Sequence, residues 1–136
     1  MRKILVTGGA GFIGSNFVKM ILKRKSRNRV IVLDKLTYAG NIDNLKGYLS
    51  NPGLDFVRGD IGNGQLLDLL VPGVDIIYNF AAETHVDRSI LEGGSFVKTD
   101  VMGTFTLLQK AMEHEVPRFV QVSTDEVYGS IEKGKF

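Results

Sequence analysis

Two rhythms of apolar and polar positions run along this chain. Residues 2–7, 29–33, 54–58, 75–80 and 118–123 form short, nearly continuous apolar runs, the pattern of strands buried on both faces. Longer segments with apolar residues three or four apart lie between them and read as helices. The first spans 15–25, with Ile13, Phe17, Ile21 and Leu22 on one stripe. A short helix is expected over 43–49, after an irregular loop at 36–42 and before the turn Asn51-Pro52-Gly53. Leu66, Leu67, Leu69 and Leu70 mark the next helix, stopped near Pro72-Gly73. The last runs from about 94 to 114, and Phe96, Val97, Val101, Leu107, Leu108, Ala111 and Met112 are expected on its buried side. Gly103 lies inside it at a cost of about 1 kcal/mol against alanine, which predicts close packing on a neighbour.

Strands that alternate with helices imply right-handed crossovers and a parallel sheet covered on both faces. The expected fold is α/β, a Rossmann-like doubly wound sheet of order 3-2-1-4-5 over residues 1–136. No sixth strand is visible, so the sheet is expected to be incomplete at its C-terminal edge.

Composition narrows the field. A 136-residue chain with no cysteine has neither a disulfide nor a thiolate metal site. A cytoplasmic location fits that usage. The apolar run at the N-terminus stops at Val6, too short for a signal peptide, and no run reaches membrane-spanning length. Net charge is +2. Lys19, Lys23, Arg24, Lys25, Arg27 and Arg29 cluster, but no aromatic is interleaved to stack on bases. They read as a solvated helix end rather than a nucleic-acid patch.

Candidate chemistry falls at the strand ends. Gly8, Gly9, Gly11 and Gly14 follow the first strand and satisfy dinucleotide-binding spacings. One glycine permits the tight turn, one lets a pyrophosphate approach the backbone, and one lets helix pack on strand. The helix N-terminus beyond them suits an anion. Asp34 lies twenty residues after Gly14 at the end of the second strand. An acid there accepts from both ribose hydroxyls and repels a 2′-phosphate, which favours NAD over NADP; Lys35 beside it works against that preference. Asp60 and Ile61 end the third strand and can meet the adenine. Phe80, Ala81 and Ala82 end the fourth, where small residues let the chain pass under a cofactor. Ser123-Thr124-Asp125-Glu126 ends the fifth. Its adjacent carboxyls are either a solvated turn or an acid and a base whose mutual repulsion separates their pKa values. His85 follows the fourth strand and could touch substrate; His114 lies near a helix end. The two form no metal site.

Thr7-Gly8-Gly9-Ala10-Gly11-Phe12-Ile13-Gly14 resembles the opening of the extended short-chain dehydrogenases/reductases. The runs from Asp34 to Asn41, Ala81 to Ile90 and Ser123 to Gly129 resemble, more narrowly, the nucleotide-sugar 4,6-dehydratases of that family. The resemblance covers the whole chain and implies a lyase that borrows and returns a hydride. NAD oxidises C4 of the sugar, water leaves across C5 and C6, and the hydride returns to C6. By family pattern Asp125 protonates the leaving hydroxyl, Glu126 takes the C5 proton and Thr124 bonds the sugar near C4. Thr84, where the family usually carries serine, would lie between cofactor and substrate. Gly8, Gly11, Phe12, Ile13, Gly14, Asp34, Lys35, Leu36, Thr37, Asp60, Ile61, Phe80, Ala81, Ala82, Glu83, Thr84 and Thr99 match cofactor positions. The resemblance also implies a homodimer.

The family motif Tyr-x-x-x-Lys is missing. Tyr38, Tyr48, Tyr78 and Tyr128 are followed at the fourth position by Ile42, Pro52, Ala82 and Glu132. The expectation is therefore an N-terminal portion that lacks the C-terminal substrate domain, binds NAD weakly and does not turn over. Two other readings are a stand-alone NAD-binding or interaction module and a nucleotide-sugar epimerase. The epimerase has no use for the acid–base pair at Asp125 and Glu126.

Overall fold

The computed structural model describes residues 1–24, 28–84, 93–131 and 133–134. Its framework is a five-stranded parallel sheet in the order β3-β2-β1-β4-β5, made by β1 (Lys3–Thr7), β2 (Arg29–Asp34), β3 (Leu54–Arg58), β4 (Ile76–Asn79) and β5 (Phe119–Gln121). The central strand β1 pairs with β2 from Lys3↔Arg29 and with β4 from Ile4↔Ile76. β4 and β5 are shorter than the apolar runs, yet the backbone bonds Asp75 N–H to Lys3 O, Phe80 N–H to Thr7 O and Val122 N–H to Asn79 O extend their pairing.

Strand alternation divides the core. Leu5, Ile31, Leu33 and Ile77 face one side, where Leu67, Val71, Leu107 and Ala111 cover them. Ile4, Val6, Val30 and Val32 face the other, beneath Val18, Ile21 and Leu45. Helix α1 (Phe12–Lys23) therefore lies on one face, and α2 (Gly64–Leu70) with the last helix lies on the other. Phe17 packs tilted against Tyr78 and Phe80 at 4.6 and 5.1 Å between ring centres.

Several local expectations need correction. Helix α1 starts at Phe12 because Gly11 sits in extended backbone as its N-cap. Ile13 is 64% exposed rather than on the buried stripe, which Val18 and Ile21 occupy. The segment after the loop is a 3-10 turn, Ile42–Leu45, capped by the Asn41 side chain, which accepts from the Asp43 N–H at 2.9 Å. The last helix has three successive pieces: α3 (Gly93–Phe96), a π-helical stretch (Val97–Gly103) and α4 (Thr104–Glu113). Leu107 and Ala111 set its buried side, while Val97, Val101, Leu108 and Met112 face out. Gly103 is packed as expected: a Cβ there would stand 2.8 Å from Ile61 Cγ1.

Candidate active site

The carboxyl ends of the five parallel strands open on one edge, where sheets of this type bind ligands. A cleft of about 560 Å³ lies there, with predominantly apolar walls. Gly8, Gly11, Phe12, Ile13 and Gly14 form its base. The turn depends on missing side chains. Gly8 has φ +66, and a Cβ on it would stand 2.6 Å from Ala81 N, so glycine lets the turn and the β4 exit lie in contact. A Cβ on Gly14 would stand 2.3 Å from Gly8 O. Gly11 is different: its nearest obstacle is Gly8 O at 3.3 Å, and it offers α1 no side-chain cap. The first-turn N–H groups of α1 are thus left at the cleft wall, a cradle suited to phosphate.

Asp34 ends β2 buried beneath the turn. Its Oδ2 accepts from Ala10 N–H at 2.8 Å and its Oδ1 from Leu36 N–H at 2.8 Å. Leu36 adopts φ 56, a left-handed bend that brings its amide back to that oxygen. Leu36 itself is not on the cleft wall. Gly40 closes the loop over the same carboxylate, since a Cβ there would stand 2.5 Å from Asp34 Oδ1.

Lys35 and Asp60 meet at the ends of β2 and β3, with Nζ 2.7 Å from Oδ2. Asp60 Oδ1 also accepts from Gly62 N–H at 2.8 Å. Partial burial pushes the Asp60 carboxyl up. The Lys35 and Gly62 hydrogen bonds and the charges of Lys35 and Lys98 outweigh it, and the carboxyl ends below its ordinary value.

The opposite wall is Phe80, Ala81, Ala82, Glu83 and Thr84 with Thr99 from the π-helical stretch. Asp100, next to Thr99, accepts from Glu83 N–H at 2.8 Å and ties helix to loop. Its carboxyl is pushed up, mainly by partial burial and further by the Glu83 charge, against the pull of that hydrogen bond. Thr84 N–H donates to the Tyr38 hydroxyl at 3.4 Å.

Thr124 reaches the wall from the end of β5. Asp125 and Glu126 follow directly and open a 3-10 turn, Asp125–Tyr128. His85 and the run to Ile90 lie outside the described residues. His114 is far from the chemistry, bonded to Asp68 at 3.0 Å on the surface. Arg29, at the end of the basic cluster, pairs with Asp55 at 2.7 Å.

The sequence reading did not single out Leu33, Ala39, Gly40, Gly59 and Val122, which line the wall. It also missed a polar chain that starts from two buried residues, Thr7 and Asn79, and ends on the exposed Gln121. Thr7 Oγ1 donates to Asn79 Oδ1, and Asn79 Nδ2 donates to Gln121 Oε1 at 2.8 Å. An asparagine within the apolar run of β4 was the available signal, because a buried amide needs partners from adjacent strands.

Residues 5–136 match the family model described as GDP-mannose 4,6 dehydratase, and the chain belongs to that family. It is 58% identical, over 98% of its length and 43% of the relative's, to the low-salt glycan biosynthesis protein Agl12 of Haloferax volcanii. It is 55% identical, over 97% of its length and 40% of the relative's, to dTDP-glucose 4,6-dehydratase of Streptomyces niveus. Among solved structures, DesIV of Streptomyces venezuelae, a dTDP-glucose 4,6-dehydratase with NAD and TYD bound, superposes with a TM-score of 0.93 at 54% identity, over 98% of this chain and 43% of that one. UDP-glucose 4-epimerases share the fold at lower identity. The chain thus spans about two fifths of the length of the relatives it matches.

Proposed function

We propose that this chain is the NAD-binding part of a dTDP-glucose 4,6-dehydratase. The reaction oxidises C4 of the glucosyl ring, loses water across C5 and C6, and reduces C6 to give dTDP-4-keto-6-deoxyglucose. One observation carries the reading: a single strand-end cleft collects the glycine turn, Asp34 and Thr124, and the chain runs from Thr124 straight into Asp125 and Glu126.

The residues fit a dinucleotide. The uncapped start of α1 takes the pyrophosphate, and Asp34, already fixed by two backbone amides, takes a ribose. Asp60 and Ile61 meet the adenine, and Phe80 to Thr84 with Thr99 hold the nicotinamide end. When bound, NAD supplies a reversible hydride acceptor beside the sugar. Thr124 and Thr84 hydrogen-bond the sugar. Asp125 protonates the hydroxyl leaving C6 and Glu126 removes the proton on C5, which the C4 ketone acidifies. C5 and C6 are bonded neighbours, so adjacent carboxyls suit the two transfers. That pairing favours a dehydratase over an epimerase, which needs no elimination.

Titration of the 136-residue chain with NAD by calorimetry tests the reading. Saturable one-to-one binding, weakened at least about tenfold by Gly11→Ala, is expected. Absence of NAD binding by the folded chain overturns it.

A homodimer forms part of the same proposal. Val97, Val101, Phe105, Leu108 and Met112 recur every three or four residues along the last helix, and all are exposed, Met112 by 80%. Two such stripes match each other across a two-fold axis. No helix among the described residues is long and apolar enough to cross a membrane. We place the protein in the cytoplasm, with its nucleotide-sugar substrate, as a protein with no nucleic-acid partner.

A further inference from the structure

We propose that Asp60 is a specificity-determining residue: by holding Lys35 in an ion pair it denies that cation to a 2′-phosphate and adds a second barrier to NADP beyond Asp34. The inference rests on the dinucleotide reading of the cleft.

Lys35 follows Asp34 directly. A lysine beside the ribose-binding acid is the natural partner for a 2′-phosphate, and on sequence grounds it offsets the repulsion from Asp34. Its ammonium is instead engaged. Nζ lies 2.7 Å from Asp60 Oδ2 in a partly exposed pair, and both residues are anchored at their strand ends. Lys35 is tethered by the end of β2, where Asp34 pairs in register with Arg58 of β3 and the Asp34 carbonyl accepts from Gly59 N–H at 2.9 Å. Asp60 is held by its second oxygen, which accepts from Gly62 N–H at 2.8 Å. All three charged side chains line the same cleft. Releasing Lys35 to a phosphate means breaking that pair and leaving Asp60 to add its own negative charge to that of Asp34. The cleft therefore opposes the extra phosphate with two carboxylates while its adjacent lysine is occupied.

The pair can be opened without disturbing the turn. Asp60→Asn keeps an oxygen for Gly62 N–H and loses the charge that holds Lys35. Calorimetric dissociation constants for NAD and NADP, measured at one fixed ionic strength, give a selectivity ratio for the wild-type chain, Asp60→Asn, Lys35→Met and the double variant. In Asp60→Asn the preference for NAD over NADP is expected to fall about five- to tenfold. In the Lys35→Met background the same substitution is expected to lower the ratio by clearly less, about two- to threefold, because only the charge of Asp60 itself is left to remove. An unchanged ratio in Asp60→Asn, with NAD still bound, overturns the inference and leaves the dinucleotide reading intact. An equal fall in the Lys35→Met background also overturns it, since loss of a negative charge then explains the whole effect. Loss of binding of both cofactors by the folded wild-type chain overturns the dinucleotide reading and this inference with it. If Asp60→Asn melts early by circular dichroism, Asp60→Ser, which can also accept from Gly62, gives the same comparison.

Discussion

At the scale of the residue, the glycines divide by what a methyl group would meet. Gly14→Ala drives a Cβ to 2.3 Å from a backbone oxygen that cannot step aside. A stability loss of about 3 kcal/mol is expected, read as a lowered melting temperature. Gly11 has ordinary φ and a nearest contact of 3.3 Å. Gly11→Ala is expected to melt closer to wild type than Gly14→Ala while NAD affinity falls, because its methyl meets Gly8 O at 3.3 Å and Ala39 O at 3.8 Å in the turn at the base of the cleft. Asp100 makes the opposite kind of case. Its carboxyl is raised in the folded chain, so ionising it costs stability as pH climbs above the ordinary value of 3.8. Asp100→Asn retains an oxygen for Glu83 N–H. It is expected to melt about 2 °C above wild type at pH 7, with the gain vanishing in acid below that ordinary value. The glycine spacing and Asp34 were legible because the chemistry restricts the residue type. The two amides that fix Asp34 were not, since the loop returns to it through a left-handed leucine that spacing does not announce.

At the scale of the element, strands and their order followed from alternation, because a two-sided parallel sheet leaves continuous apolar runs. The final helix did not yield its orientation so easily. It carries apolar residues on both an inward and an outward face, and periodicity does not say which face is which. Nor did the pattern reveal the π-helical stretch that sets Thr99 on the cleft wall beside Asp100 and its bond to Glu83 N–H. Between α2 and α4 the packing is fastened by a surface cluster. Lys110 Nζ bonds Asp68 at 2.9 Å and Glu113 at 2.7 Å, and His114 joins at Asp68. Hydrogen bonds from Lys110 and then His114 hold the Asp68 carboxyl below its usual range. A lowered carboxylate contributes its stability above the unfolded value of 3.8 and loses it as pH falls through the folded value. The difference in melting temperature between wild type and Asp68→Asn is therefore expected to shrink as pH falls below about 3.8. A difference constant across that range contradicts the fastening role.

At the scale of the whole molecule, the apolar residues left outside bear on the proposed dimer. The exposed stripe from Val97 to Met112 lies beside the face that buries Leu107 and Ala111 and would offer a second copy an antiparallel helix seam. Light scattering is expected to give about twice the 15.0 kDa of one chain, and Phe105→Glu is expected to return the monomer mass. A monomeric wild type at high micromolar concentration counts against the proposed dimer.

The position of β1 has a consequence for the order of events during synthesis. Of the five strands of this sheet, β1 is synthesised before the other four and ends in the middle. Its partner on one flank, β2, is complete by Asp34, but its partner on the other, β4, is not complete until Asn79. For the interval between, the nascent chain carries a buried strand with one side bare, a template for unwanted pairing. The local β1–α1–β2 unit can close early, through Gly8 N–H to Leu33 O and Asp34 to the glycine turn. The ligand-cradling turn would then be assembled before the sheet it serves, and a dinucleotide able to engage that half-made cleft would act as a template for the growing chain.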